Sequence, residues 1–320
     1  MRAFLRGLIR FVFVLAIIGT VVIWFLSAPD RLSPSTLAGL SGDAERGAVV
    51  FAAAGCASCH TAPGAEPADA PVLSGGQRFV SEFGTFIAPN ITNDTAQGIG
   101  GWTDAQVIEA VTRGVSPEGT HYYPVFPYDA YAKAAPQDIL DLVAHLRSLP
   151  VSDAASLPHD VEFPFSIRRA VGLWKLLFRS DDWVVAGALT PEQTRGRYLV
   201  EALGHCGECH TPRNALGGLE RSNWLGGAPN PAGEGRIPNI TPAVLTWPEA
   251  AIAQYLFSGL TPDFDSAGGE MAAVIRNTSK LPDADRAAIA AYLKVVPPVA
   301  AGAPAAPAPE PTPEPVPASE

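Results

Sequence analysis

The chain has 320 residues, a formal net charge of −10, 47% hydrophobic residues and 17% charged residues. A chain of this length is expected to form about two globular domains, each large enough to bury its own core. The negative net charge argues against nucleic acid as a partner, because phosphate binding needs clustered Lys and Arg. An acidic surface would suit docking onto a basic protein, although ordinary solvated surface charge explains the same balance.

Residues 1–30 are predicted to form a signal anchor, a single transmembrane helix. Three arginines in the first ten residues precede an apolar run at 11–26, which is slightly shorter than the ~20 residues typical of a span. A cleaved signal peptide is the alternative, but the residues before Pro29 match a signal-peptidase site poorly. Since the arginines are expected to stay in the cytoplasm, the sequence predicts a bacterial inner-membrane protein whose remaining residues face the periplasm.

The rest of the chain contains two copies of one sequence unit. Each copy has Arg-Gly, Cys-x-x-Cys-His-Thr and Pro-Asn-Ile-Thr, followed by a tryptophan and a glycine that are equally spaced in both copies. The shared positions begin at Arg46, Cys56, Pro89, Trp102 and Gly114 in the first copy, and at Arg195, Cys206, Pro238, Trp247 and Gly259 in the second. The repeat predicts one domain at 42–150 and a second domain at 191–298.

Helical periodicity closes each copy. Apolar residues recur at intervals of three and four at 139–146 and at 289–293, which places them on one face of a helix. Pro136 and Asp283 precede these stretches, where proline and carboxylates are favoured at helix starts. Further helices are expected before each Cys pair and after each tryptophan. Because no convincing alternating strand pattern appears, the predicted fold class is all-α.

Two segments lie outside the repeat. Residues 151–190 are predicted to be a linker with a helix at about 167–178, which carries Trp174 and Phe178 on one side. We expect this helix to pack across the two domains, and a docking face for a partner is the alternative. Residues 299–320 are mostly Pro, Ala and Glu, and we expect them to be disordered because they cannot bury a core.

The four cysteines occur in two Cys-x-x-Cys-His motifs. Their residues are Cys56, Cys59 and His60 in the first copy, and Cys206, Cys209 and His210 in the second. In haem c each cysteine forms a thioether with one side of the porphyrin, and the histidine supplies the proximal nitrogen to iron. A zinc site would pair the two motifs, a thioredoxin-like site needs a βαβ context, and disulfides leave the histidines unexplained. The sequence therefore predicts two covalently attached haem c groups.

The chain resembles the membrane-bound cytochrome c subunits of bacterial alcohol, gluconate and related dehydrogenases over residues 42–297. The resemblance is carried by GTHYYPVFPY at 119–128, GHCGECHTPRN at 204–214 and MAAVIRNTS at 271–279. It implies two tandem class I cytochrome c domains after the transmembrane helix. It also implies electron relay from a periplasmic dehydrogenase towards quinone, an oxidase or another cytochrome. Those subunits usually carry three haems, whereas this chain has two attachment motifs.

Met271 is the predicted sixth ligand of the second haem. It is the only methionine after the initiator, and a thioether ligand raises the reduction potential of haem iron. A glycine-containing loop precedes it and the closing helix follows it, as the fold requires. A packing role in the core is the alternative for this side chain.

The first copy has no methionine, so the sixth ligand of the first haem is open. Related subunits commonly carry a methionine after the residue that matches Lys133, where this chain has Ala134. His121 follows His60 at the offset by which Met271 follows His210, which makes His121 a tentative ligand. An iron without a protein sixth ligand and ligation by Lys133 are the alternatives. His145 and His159 are expected at the surface, and His205 is expected either to pack beside the second haem or to lie on the side of its propionates.

The predicted function is electron transfer by a membrane-anchored dihaem cytochrome c rather than catalysis. A peroxidase that uses an open first haem is the alternative, but no acid/base residue could be placed over the iron. A thiosulfate-oxidising enzyme would need a cysteine at a haem, and all four cysteines are already assigned to attachment. A sensor would need a signalling segment, which the sequence does not indicate.

Overall fold

The computed structural model describes residues 2–231 and 235–300. Helix α1 spans Arg2–Leu26, and its segment Phe4–Leu26 is long and apolar enough to cross a membrane. The predicted tail lies outside the described residues from residue 301 onward. At its predicted start, Val299 is bonded to the second domain through Asn239 and Thr241, so the ordered chain extends past that boundary.

The first domain contains five helices among the described residues. They are α2 (Ala44–Ala54), α3 (Cys56–His60), α4 (Asp104–Arg113), α5 (Tyr128–Tyr131) and α6 (Pro136–Ser148). Thr103 caps α4 through a reciprocal pair of hydrogen bonds with Gln106, and α6 begins at the predicted proline. The apolar face of α6 packs against α2. The buried side chains of these two helices together make up much of the core of this domain.

The second domain repeats this arrangement after the connecting helix α7 (Ala170–Phe178). Its helices are α8 (Pro191–Tyr198), which continues as a π turn over Leu199–Leu203, then α9 (Gly207–His210), α10 (Glu249–Ser258), α11 (Gly269–Thr278) and α12 (Asp283–Leu293). Short 3₁₀ turns occur at Pro34–Leu37 and Arg221–Asn223. Helices α8 and α12 pack together as α2 and α6 do.

The Arg-Gly pair of each copy explains how the first and last helices of a domain meet. A Cβ atom on Gly47 would lie 2.0 Å from the carbonyl oxygen of Asp141, and one on Gly196 would lie 1.9 Å from the carbonyl oxygen of Ala288. Only glycine permits this approach. The preceding arginine then holds the two helices together, as Arg46 does with two hydrogen bonds of 2.7 and 2.9 Å to the Asp141 carboxylate.

Two short antiparallel hairpins depart from the all-α expectation. Strands β1 (Arg78–Ser81) and β2 (Gly84–Ile87) pair in the first domain, and β3 (Ala228–Pro229) and β4 (Arg236–Ile237) pair in the second. The exposed and buried residues of β2 do not alternate. The strands are also too short for a periodic pattern, which is why the sequence does not indicate them.

Helix α7 contacts both domains. Lys175 donates a hydrogen bond of 2.6 Å to the carbonyl of Arg113 in the first domain, and the indole of Trp174 donates one of 2.8 Å to the carbonyl of Leu216 in the second. The N-terminal end of α7 also packs against the last turn of α1. The linker helix therefore joins three parts of the protein.

Candidate haem sites

The two motif histidines are oriented in the same way by backbone carbonyls. Nδ1 of His60 lies 2.9 Å from the Pro89 oxygen, and Nδ1 of His210 lies 2.8 Å from the Pro238 oxygen. Since a carbonyl only accepts, each Nδ1 carries the proton and each Nε2 keeps a lone pair for a metal. Burial lowers the pKa of both imidazoles, which favours the neutral form that binds iron.

The Pro-Asn-Ile-Thr motif supplies these carbonyls and fixes the loops that bear them. In the first domain Asn90 donates a hydrogen bond of 2.8 Å to the carbonyl of Ser152, just beyond α6. In the second domain Asn239 donates an equivalent bond of 2.8 Å to the carbonyl of Val299. Sequence reasoning found the motif but gave it no role. Its recurrence after both Cys-x-x-Cys-His motifs was the indication of a supporting function.

The four cysteines are free thiols. In each motif the histidine and at least one cysteine share a single helical turn, α3 or α9. Burial raises the pKa of the Cys56 and Cys206 thiols to about 12. Paired thiols next to an imidazole with a free Nε2 fit a covalently attached haem c.

The haem attachment segments of the two domains pack directly against each other. Nε2 of His205, which precedes the second motif, lies 3.3 Å from the carbonyl oxygen of Ala54, which precedes the first. The Tyr131 hydroxyl donates a hydrogen bond of 2.8 Å to the same oxygen, and its ring meets the His205 ring edge-on at 5.5 Å. His205 therefore packs at the contact between the two attachment segments.

The Cytochrome c family profile matches residues 44–150 and 193–297. The chain belongs to the cytochrome c family. This confirms the predicted fold class, with two tandem cytochrome c domains after an apolar helix. The two matches and the two motifs also confirm the predicted cofactors, two covalently bound haem c groups.

The relatives of this cytochrome include a dihaem cytochrome and cytochrome subunits of dehydrogenases. It is 58% identical to the "Diheme cytochrome c-type" of Cereibacter sphaeroides, over 88% of this chain and 95% of that protein. It is 39% identical to the fructose dehydrogenase cytochrome subunit of Gluconobacter japonicus, over 79% of this chain and 52% of that protein. It is 32% identical to the gluconate 2-dehydrogenase cytochrome c subunit of Pantoea cypripedii, over 78% of this chain and 58% of that protein. The chain thus spans little more than half the length of these dehydrogenase subunits.

The two cytochrome domains can be aligned by a β-bridge that follows α4 and α10. The bridge joins Val115 to His121 in the first domain and Leu260 to Ser266 in the second. The backbone hydrogen bonds within these two loops are equivalent as well. His121 therefore occupies the place of Ser266 and not that of Met271, although the sequence offset suggested otherwise.

Phe126 follows His121 by the same number of residues as Met271 follows Ser266. Phe126 is therefore the counterpart of Met271 in the first domain. Met271 lies in the first turn of α11, where its side chain is partly buried, and it stays the candidate thioether ligand of the second haem. The phenyl ring of Phe126 has no lone pair to offer iron. The two domains therefore differ at the position from which the second domain would supply its sixth ligand.

The contacts of His121 do not support its tentative assignment as a ligand. Its buried ring has Nε2 2.9 Å from the carbonyl oxygen of Ser27 and Nδ1 3.2 Å from Nζ of Lys175. Nε2 must donate to the carbonyl, so Nδ1 accepts from the lysine. Both ring nitrogens are thus engaged in a link between the first domain, the end of α1 and α7.

Three other side chains considered at the sequence level also have protein partners. Nζ of Lys133 donates a hydrogen bond of 3.1 Å to the carbonyl of Asp129. His145 packs against the Phe51 ring at 5.1 Å, and Nδ1 of His159 accepts a hydrogen bond of 3.1 Å from the amide of Ile87. Both histidines are half-buried rather than at the surface, because aromatic and backbone partners hold them.

Proposed function

We propose that this dihaem cytochrome is anchored in the bacterial inner membrane by α1 and transfers electrons in the periplasm. In this proposal it accepts them from a dehydrogenase and passes them towards quinone, an oxidase or another cytochrome. The dehydrogenase donor is supported by the relatives, several of which are cytochrome subunits of fructose, alcohol and gluconate dehydrogenases. The membrane location is supported by the length and composition of α1.

The residues assigned to each haem follow from the two motifs. Cys56 and Cys59 would form the thioethers of the first haem and Cys206 and Cys209 those of the second. His60 and His210 would bind the irons through Nε2. Each bound haem supplies one-electron redox chemistry. The residues of the chain would hold the two groups and orient the proximal imidazoles.

The observation that carries the proposal is the direct packing of one attachment segment on the other. The Ala54 carbonyl, next to the first motif, is bonded to His205, next to the second. A further contact joins the first motif to α11 of the second domain through Ser58 and Asn277. These contacts between the attachment segments would bring the two haems close together and keep the distance between them constant, as electron exchange requires. The relatives give no support to the peroxidase alternative.

The test combines haem content, location and reduction by substrate. The full chain should remain in washed membranes, stain for covalent haem on a denaturing gel, and lose one haem of two when Cys206 and Cys209 are both replaced by alanine. In membranes that contain the chain, a sugar, alcohol or gluconate substrate should reduce its haems, as followed by visible absorption. Membranes lacking the chain serve as the control. A soluble chain whose haems no such substrate reduces would contradict the proposal.

A further inference from the structure

The linker carries five exposed apolar side chains within one short segment, which we call the apolar linker face. It begins at Phe163, whose side chain is 80% exposed, and ends at Leu177, which is 69% exposed. Between them Phe165, Ile167 and Leu176 are also exposed. So many large exposed apolar side chains in one short segment are uncommon on a soluble surface and indicate a binding partner.

Helix α7 directs part of this face towards the end of α1. Arg169, Leu173 and Leu176 are separated by four and three residues, so they lie on one side of the helix. The guanidinium of Arg169 stacks on the Trp24 ring at 4.3 Å, and its Nε donates a hydrogen bond of 2.9 Å to the hydroxyl of Ser27. The exposed Leu176 therefore lies on the side of the helix that carries Arg169 and meets the last turn of α1.

The length of α1 sets the depth of this contact. The candidate span Phe4–Leu26 covers about 34 Å at 1.5 Å per residue, slightly more than the roughly 30 Å of hydrocarbon in a bilayer. When this segment spans the bilayer, Trp24 near its C-terminal end lies at the outer boundary, where tryptophan is favoured. Side chains that pack beside Trp24 are then at the level of the lipid headgroups.

The domains cannot swing away from this position without breaking contacts. The Ser27 carbonyl is bonded to His121, Asp30 pairs with Arg113, and Arg31 pairs with Glu109 at 2.7 Å. The end of α1 is therefore fixed to the first domain and to α7. The position of α1 in a bilayer would determine the position of the apolar linker face.

We propose that the apolar linker face is a second membrane contact, embedded in the outer interface of the bilayer that α1 spans. The occupant of this face is lipid, and the contact holds the two haem domains in one orientation on the membrane. An apolar helix face at the level of the headgroups is typical of segments that lie in the interface. This inference rests on the proposed anchoring by α1.

The test uses the full, haem-loaded chain in nanodiscs of phosphatidylethanolamine and phosphatidylglycerol, with one chain per disc so that a second copy cannot cover the face. Single cysteines are introduced as Leu176→Cys, Val14→Cys in α1 and Phe264→Cys. Phe264 is the matched control, since its side chain is 85% exposed on the second domain. The rate of labelling by a charged, membrane-impermeant maleimide is measured by mass spectrometry, and haem staining checks that each variant is loaded.

We expect the cysteine at 176 to react at least about ten times more slowly than that at 264, and all three to react alike once the discs are dissolved and the chain is unfolded in sodium dodecyl sulfate. Equal rates at 176 and 264 with a protected cysteine at 14 would overturn the second contact and leave the anchor intact. A cysteine at 14 that reacts as fast as that at 264 would overturn the anchor itself and this inference with it. The α1 variant thus distinguishes the two failures.

Discussion

Asn277 in α11 donates a hydrogen bond of 2.7 Å from Nδ2 to Oγ of Ser58, which lies between the two cysteines of the first motif. Helix α11 also carries Met271, the candidate sixth ligand of the second haem. One helix of the second domain therefore contacts the attachment segment of the first haem and bears a candidate ligand of the second.

The substitutions Asn277→Ala and Ser58→Ala test how much this hydrogen bond contributes to the stability of the interface between the domains. Each substitution should lower the free energy of unfolding by about 1 kcal/mol, the usual net value of such a bond. Because both remove the same interaction, their effects should not add in the double variant. Denaturant unfolding followed by haem absorption measures this. Additive effects would show that the hydrogen bond contributes nothing to the interface.

The single methionine of the mature domains predicts one thioether-ligated haem. Met271→Ala should abolish the sulfur-to-iron absorption band at the red end of the visible spectrum, while both haems stay attached. Phe126→Met places a thioether at the equivalent position of the first domain and should add a second band of similar size. Phe126→Leu, which is apolar but has no sulfur, is the control. Two bands in the unaltered protein would contradict the assignment.

The lack of a thioether in the first domain also predicts that the two haems differ in reduction potential. A methionine ligand raises the potential, so the haem held by His210 should be reduced first in a redox titration. In the Phe126→Met variant the two potentials should move closer together. Identical potentials in the unaltered protein would argue that the first haem receives a sulfur ligand from elsewhere.

Replacement of His121 separates a ligand from a structural residue. Because its two nitrogens bind Ser27 and Lys175, His121→Ala should leave the iron spectrum unchanged. The loss of two buried hydrogen bonds should lower stability by about 2 kcal/mol. Thermal unfolding and visible absorption of the same sample measure both effects. Conversion of one haem to the high-spin form would restore His121 as its ligand.

Asp129 predicts a pH dependence of stability. Burial, with a smaller contribution from the Glu208 carboxylate, raises the pKa of its carboxyl from 3.8 to about 6. Its Oδ1 has no hydrogen-bond partner among the residues that the structure describes. Between these two pKa values the folded protein holds a proton that the unfolded chain has released. Stability attributable to this group is therefore lost as the pH rises from about 4 to about 6.

Asp129→Asn removes this titration and should stabilise the protein by about 3 kcal/mol at pH 8, with little effect at pH 4. Asp153→Asn, at an exposed position in the linker, provides the control and should change stability at neither pH. The melting temperature of each protein at the two pH values is the measurement. An equal effect of Asp129→Asn at both pH values would exclude ionisation as the cause.

The sequence was sufficient for the parts of the fold that have a strong local pattern. The closing helices were predicted from their apolar spacing, and α6 and α12 begin at Pro136 and Asp283. The haem motifs were predicted because their chemistry requires adjacent residues. The hairpins were missed, since their few residues are held by pairing with a neighbouring strand rather than by any periodic pattern.

The sequence offset aligns His121 with Met271, whereas the β-bridges align it with Ser266. The offset was counted from the motif histidines, across a loop that is longer in the first copy than in the second. The spacing from Trp102 to Gly114 is the same as that from Trp247 to Gly259, because α4 and α10 fill both intervals. Counting from the tryptophans would have aligned His121 with Ser266.

The fixation of α1 at Ser27, Asp30 and Arg31 has a kinetic consequence. A haem domain on a flexible tether searches a volume set by the length of its linker, and its effective concentration at a partner falls as that linker grows. In this cytochrome no flexible linker separates the N-terminal helix from the first domain, because Ser27, Asp30 and Arg31 are bonded to that domain. It would act as a stationary relay, to which a donor and an acceptor must each diffuse or be bound. A Gly/Ser insertion after Ala28 would turn the relay into a shuttle.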